Sequence, residues 1–182
     1  VTAVLTDLTA NVITYLLAQA AQDPALGAAT PPVVIFDGQP PTEDPLVLNG
    51  TGLTQRLWIG SGGYAADGGL DTAAVSQQAF SFLDQARTRD QDFDITCAAE
   101  AISADSVMSA ARAGAYAVVR AVELMLRGTP GTTPASTGDA SMGGLVYWSG
   151  VTGPIELGQE QQTSGAIALV KFHVAGFVRL TS

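Results

Sequence analysis

The stretch Phe93-Asp94-Ile95-Thr96-Cys97-Ala98-Ala99-Glu100-Ala101-Ile102, followed closely by the alanine-rich run 104–127, decides the fold class. In the first segment Phe93, Ile95, Cys97, Ala99 and Ala101 share one side by period two, and Asp94, Thr96 and Glu100 take the other. This alternation predicts a half-buried strand, with one face dry and the other wet. In the second segment Val107, Ala111, Gly114, Val118, Ala121 and Met125 recur at spacings of three and four, which is helical. Ser103 can cap this helix, with Asp105 in its first turn and Gly128 where a C-cap glycine belongs. The many alanines allow a sheet to approach closely.

Upstream, residues 2–22 carry Leu5, Leu8, Val12, Ile13, Leu16 and Leu17 at helical spacing, and Asp23-Pro24 ends the run. Val33 to Phe36 reads as a buried strand between prolines and Asp37-Gly38. Leu46 to Leu48 and Arg56 to Ile59 read as two more strands, with Asn49-Gly50-Thr51-Gly52 as a reversal between them. Residues 60–70, GSGGYAADGGL, read as a mobile surface loop. In 72–87, Ala73, Ala74, Gln77 and Gln78 suit a helix, whereas Val75, Phe80 and Phe82 suit a strand. The charged turn Arg87-Thr88-Arg89-Asp90 that follows favours strand.

Downstream, residues 128–144 form a long loop of small polar residues. Leu145 to Trp148 and Ile155 to Gln162 read as strands. From Gly165 to Leu180, Ala168, Val170, Phe172, Val174, Val178 and Leu180 line one face, and Lys171, His173 and Arg179 the other. Such a strand would run about 50 Å at ~3.3 Å per residue. That length predicts that part of it lies against another subunit. The expected architecture is one α+β domain over residues 1–182. A mainly antiparallel sheet is packed by an N-terminal helix and a long central helix, with flexible loops near 60–70 and 128–144.

The chain has 182 residues, 47% of them apolar and 14% charged, which argues against disorder. Eight Lys and Arg against seventeen Asp and Glu leave a net charge of −9, so a broad phosphate-binding face is disfavoured. The single Cys97 forms no internal disulfide and suits a reducing compartment. No apolar run reaches the ~18 residues of a membrane helix, and the opening lacks a signal peptide's basic region. These features lead to the expectation of a soluble, non-secreted domain.

No chemical motif is complete. Gly60-Ser61-Gly62-Gly63-Tyr64-Ala65 has the loose dinucleotide spacing, but Ala66-Asp67-Gly68-Gly69 makes a poor helix start for a pyrophosphate. Asp90, Asp92 and Asp94 open like a calcium loop, but Ile95 and Ala101 stand where Gly and Glu are needed and Asp94 falls on strand alternation, so a solvated turn entering a strand is expected. Asn49-Gly50-Thr51 is a sequon that reads as a hairpin turn. His173 is the one imidazole and has no Gly-x-Ser-x-Gly elbow beside it, so it reads as a packed or interfacial residue. Cys97 falls on the apolar face and reads as an inert thiol. No catalytic residue, cofactor or metal ligand is assigned.

The order of pieces is more telling than any one motif. Val33-Val34-Ile35-Phe36-Asp37-Gly38 follows the N-terminal helix. Leu57-Trp58-Ile59-Gly60 comes next, then Arg89-Asp90-Gln91-Asp92-Phe93-Asp94-Ile95 and the alanine-rich helix. Glu160-Gln161-Gln162-Thr163-Ser164-Gly165-Ala166 leads into the final strand. This order resembles the tail terminator proteins of long-tailed bacteriophages, especially those of actinobacterial phages. The resemblance spans roughly the whole chain, apart from the loops at 60–86 and 128–144.

The resemblance implies a virion protein, assembled in the host cytoplasm, that forms a homo-oligomeric ring, usually a hexamer, at the neck. Such a ring caps the tail tube, stops tail polymerisation and meets the head–tail connector or stopper protein. DNA passes through its lumen without specific binding, and the acidic composition suits that passage. No membrane is involved. Gly60, Gly62, Tyr64 and Asp67 of the glycine-rich loop, with Lys171, His173 and Arg179 of the last strand, are the candidate ring or tube interface. The alternatives are a head-side connector or stopper ring, a small hydrolase using His173, and a ligand-binding module with Trp58 or Trp148 in a pocket.

Overall fold

The computed structural model describes residues 5–39, 52–63, 72–80, 88–127, 139–162 and 165–181. The element order is α1 (Leu5–Gln22), β1 (Val34–Asp37), β2 (Leu53–Ile59), β3 (Ala74–Phe80), β4 (Thr88–Ser103), α2 (Met108–Arg127), β5 (Trp148–Gln162) and β6 (Gly165–Thr181). The six described strands form one sheet in the order β1-β2-β4-β6-β5, with β3 also paired to β4. Only β1 and β2 run parallel; the other pairings are antiparallel. The expected α+β class with a mainly antiparallel sheet and two packing helices is what the chain adopts.

Both helices pack on one face of the sheet. Leu8, Val12, Leu16 and Ala20 recur every fourth residue along α1 and are buried. They join Leu57, Ile59, Phe93, Ile95, Cys97, Ala99 and Ala101 of the strands in one hydrophobic cluster. In α2 the buried residues are Ala111, Gly114, Ala115, Val118, Val119, Ala121, Val122 and Leu126. A Cβ added at Gly114 would stand 3.1 Å from the Ala101 Cβ, so the small residues do set the helix-to-sheet distance. Val107, expected on the buried stripe, is 45% exposed and precedes the helix.

The start of α2 is a correction. Ser103 is the last residue of β4 and buried, not the helix cap, and Asp105 lies in the turn before the helix. The ladder to β2 runs on through Leu53↔Ser103, and the Ala104 amide then donates to the Gly52 carbonyl at 2.8 Å. These bonds hold the chain extended past the expected cap. Ser106 then turns with φ 56°, and Val107 accepts the first helical hydrogen bonds from Ala110 and Ala111.

Other boundaries also shift. The strand at Val33 to Phe36 is an edge strand, not a buried one: Val34 is 42% exposed. Residues 74–80 are strand, as expected. Asp90 and Asp92 lie within β4, opposite Ala79 and Gln77 of β3, not in a turn, and Asp94, opposite Val75, is on the strand as expected. The two strands expected at 145–148 and 155–162 are one bulged strand, β5, with Leu145 in the turn before it. The bulge falls between Thr152 and Glu156, where Gly153-Pro154 interrupts regular pairing.

The length of β6 no longer argues for a second subunit. β4 pairs with it from Thr88↔Thr181 to Ser103↔Ala166, and β5 pairs with its other side. A strand can be this long when its own neighbours match it, and β4 is sixteen residues. The expected strand at Leu46 to Leu48, the turn at Asn49, Gly128 and most of the 128–144 loop lie outside the described residues. The end of that loop is a compact turn. Asp139 accepts from the Ser141 amide, the Ser141 hydroxyl, the Gly143 amide and the Tyr15 hydroxyl of α1.

Candidate functional site

The face of the sheet turned away from the helices holds the chemistry-bearing side chains. Cross-strand register places them in rows. Arg56 of β2 lies opposite Glu100 of β4, which lies opposite Leu169 of β6. Trp58, Ala98 and Lys171 form the next row, and Glu156 of β5 extends it. Thr96, His173 and Thr152 form a third, and Asp94 and Ala175 a fourth.

One end of this face is closed. Arg56 is 5% exposed and Glu100 2%, and their side chains meet at 3.3 Å. The Arg56 guanidinium also stands 6.0 Å from the centre of the Phe36 ring. Trp58 is fully buried and Thr96 nearly so. Glu100 and Thr96 therefore do not make the wet side predicted for this strand. The cover includes the start of the glycine-rich segment. Gly60 donates its amide to the Thr96 carbonyl at 2.8 Å. A Cβ on Gly63 would come 3.1 Å from Leu169. Ser61 is 2% exposed and Gly62 is buried, so residues 61 and 62 are not the surface loop that was expected. The opposite charges of Arg56 and Glu100 offset part of the cost of burying both.

The other end is open. The His173 Nδ1 lies 2.7 Å from an Asp94 carboxylate oxygen, with both side chains part-exposed. Beyond this pair, Val75, Asp92, Trp148, Ala175 and Phe177 help line a groove of about 360 Å³. Trp148 is 42% exposed and Val75 57%. Tyr147 stacks at a tilt on Phe177, with ring centres 5.2 Å apart. Gly176 lets this corner form: a Cβ there would collide with the Trp148 carbonyl and come 2.8 Å from Phe93.

Lys171 and His173 share the outer face, whereas a Cβ on Gly60 would point toward Ile13 of α1, and Gly62 is buried. Arg179 is on β6 near its far end, opposite Asp90. Tyr64 and Asp67 lie outside the described residues. Of the two tryptophans considered for a pocket, Trp148 lines the groove and Trp58 is sealed in. Sequence reasoning missed Asp94 as the partner of His173 and Asp92 as part of the groove. Alternation places Asp94 on the strand's outer side, but the β4–β6 register that sets it beside His173 is not contained in the run itself.

An imidazole paired with a carboxylate can hold or accept a proton. Thr152 lies beside His173 in register, but no hydrogen bond activates its hydroxyl among the described residues. Cys97 is on the helix face, where burial pushes its thiol up to about 12, so the thiolate is suppressed at neutral pH. No group of three or more His, Cys, Asp or Glu able to hold a metal ion occurs among the described residues. No helix of the described residues is long and apolar enough to cross a membrane. Compared with known proteins, the chain matches no protein-family model and no curated protein.

Proposed function

We propose that this chain is the subunit of a virion ring that caps a phage tail tube, stops its growth and joins it to the head connector. The observation that carries the reading is the outer edge of β5. Among the described residues no strand pairs with that side of β5, and residues 153–161 are exposed on both faces. A long open edge with Ile155 and Leu157 exposed is a template for another chain. The bulge, Pro154, Glu156 and Glu160 restrict it to a partner that fits.

The sequence resemblance supplies the specific role. Its pieces fall on strands β1, β2 and β4 and on the β5–β6 junction. Val33 to Gly38 is the β1 edge, Leu57 to Gly60 ends β2, Arg89 to Ile95 lies in β4, and Glu160 to Ala166 joins β5 to β6. A net charge of −9 suits a neck through which DNA slides without sticking. The ring assembles in the host cytoplasm, with the tube protein on one side and the connector or stopper on the other.

Electron microscopy of a lysate from the parent phage with this gene deleted tests the reading. Overlong tails detached from filled heads are expected. Normal tails with leaking heads would move the protein to the head side, as a connector or stopper. Intact infectious particles would overturn both. A second reading, a small hydrolase, draws on the 2.7 Å Asp94–His173 pair. It requires that His173→Ala abolish an esterase or peptidase activity of the wild-type chain.

A further inference from the structure

We propose that the Trp148 groove receives the arginine face of α2 from a second copy of this chain. The inference rests on the ring reading and names two surfaces that would meet within it. The two surfaces are complementary in charge and lie on opposite sides of the sheet. The groove side offers Asp92 and Asp94 beside the half-exposed Trp148 ring. The solvent side of α2 offers Arg112, Tyr116 and Arg120, four residues apart along one stripe and all exposed. In a chain with only eight basic residues, a stripe holding two of them is a concentrated cationic feature.

The chemistry of each side fits the other. A guanidinium entering the groove can form charge-assisted hydrogen bonds to a carboxylate and lie over the Trp148 ring. Tyr116, at 40% exposure, supplies the flat amphipathic surface that interface centres favour. Arg112 is tethered to Gln159 at 3.2 Å, which leaves Arg120 as the residue placed to reach across. Because the two patches lie on opposite faces of one subunit, the contact is heterologous. Repetition therefore gives a ring if the rotation closes, not a two-fold dimer.

The test is sedimentation velocity of the full chain over a concentration series, for wild type, Asp92→Arg, Arg120→Asp and the double variant. Circular dichroism checks that each is folded. Wild type is expected to self-associate, each single variant to do so at least about tenfold more weakly, and the charge-swapped double variant to recover. Unchanged association in the single variants, or no recovery in the double, would overturn the assignment. So would a wild-type chain that stays monomeric at every concentration. If that monomer's Trp148 fluorescence responds to an oligo-arginine peptide, the occupant is a foreign basic segment and self-pairing is wrong. A monomer combined with overlong tails in the deletion lysate would overturn this pairing and leave the ring reading standing.

Discussion

The closed and open ends of the outer sheet face carry the same kinds of residue and meet opposite fates. At one end a tryptophan, an arginine and a glutamate, Trp58, Arg56 and Glu100, are sealed beneath a cover that includes residues 60–63. At the other a tryptophan, a histidine and an aspartate, Trp148, His173 and Asp94, stay open to solvent. Strand alternation treats the two sets alike. What separates them is tertiary cover, of which Gly63, close enough to Leu169 that a Cβ would stand 3.1 Å away, is one part. The charged pair beneath it is buried and costly to break, whereas the pair beyond it is solvated and free to meet a partner.

The sharpest way to break this contrast is to remove one of the two opposed buried charges. Arg56→Met leaves Glu100 in a dry site and is expected to lower stability by about 3–5 kcal/mol in urea unfolding. Next in size is the groove's corner. Gly176→Ala forces a methyl group against the Trp148 carbonyl and the Phe93 ring, and is expected to cost about 1–3 kcal/mol with a changed Trp148 emission.

A smaller effect belongs to the Tyr15–Asp139 tie between α1 and the turn before β5. Asp139→Asn is expected to cost about 1 kcal/mol, read by the same unfolding titration. The hydrogen bond from the Ser141 hydroxyl leads the causes that hold the Asp139 carboxyl below its ordinary 3.8. Its contribution is therefore present above that value and fades as pH falls through the folded pKa. Burial, and then the bond to Asp139, push Tyr15 from 10.0 up to about 12. That contribution is intact below pH 10 and is lost as pH rises through 12, so wild type should weaken at both limbs. The smallest effect is expected at the open end. His173→Ala should change stability by less than about 1 kcal/mol, because its partner Asp94 stays solvated. A loss as large as that of Arg56→Met would show that the two ends are not different in kind.

The sequence made much of the fold legible. Apolar residues every third or fourth position marked α1 and α2, and the period-two runs marked β4 and β6. These patterns report which side of an element is dry, so they survive without knowledge of the neighbours. The candidate site was half legible. Lys171 and His173 share a face by their period-two spacing, whereas Gly60 turns toward α1. Asp94 is legible as an outer-face strand residue, but its pairing with His173 and the place of Asp92 on the groove depend on the register with β6 and β3.

Element type and the helix-facing core were thus set locally, by side-chain periodicity and by the prolines and glycines between the runs. Tertiary structure alone decided three further features. β4 extended through Ser103 because the ladder to β2 continued to that point. β6 was covered over its length because β4 grew to match it. Arg56 and Glu100 were both buried with their opposite charges 3.3 Å apart, a match made across two strands. Pairing and cover are properties of what lies opposite a residue, and no residue carries that in its own position along the chain.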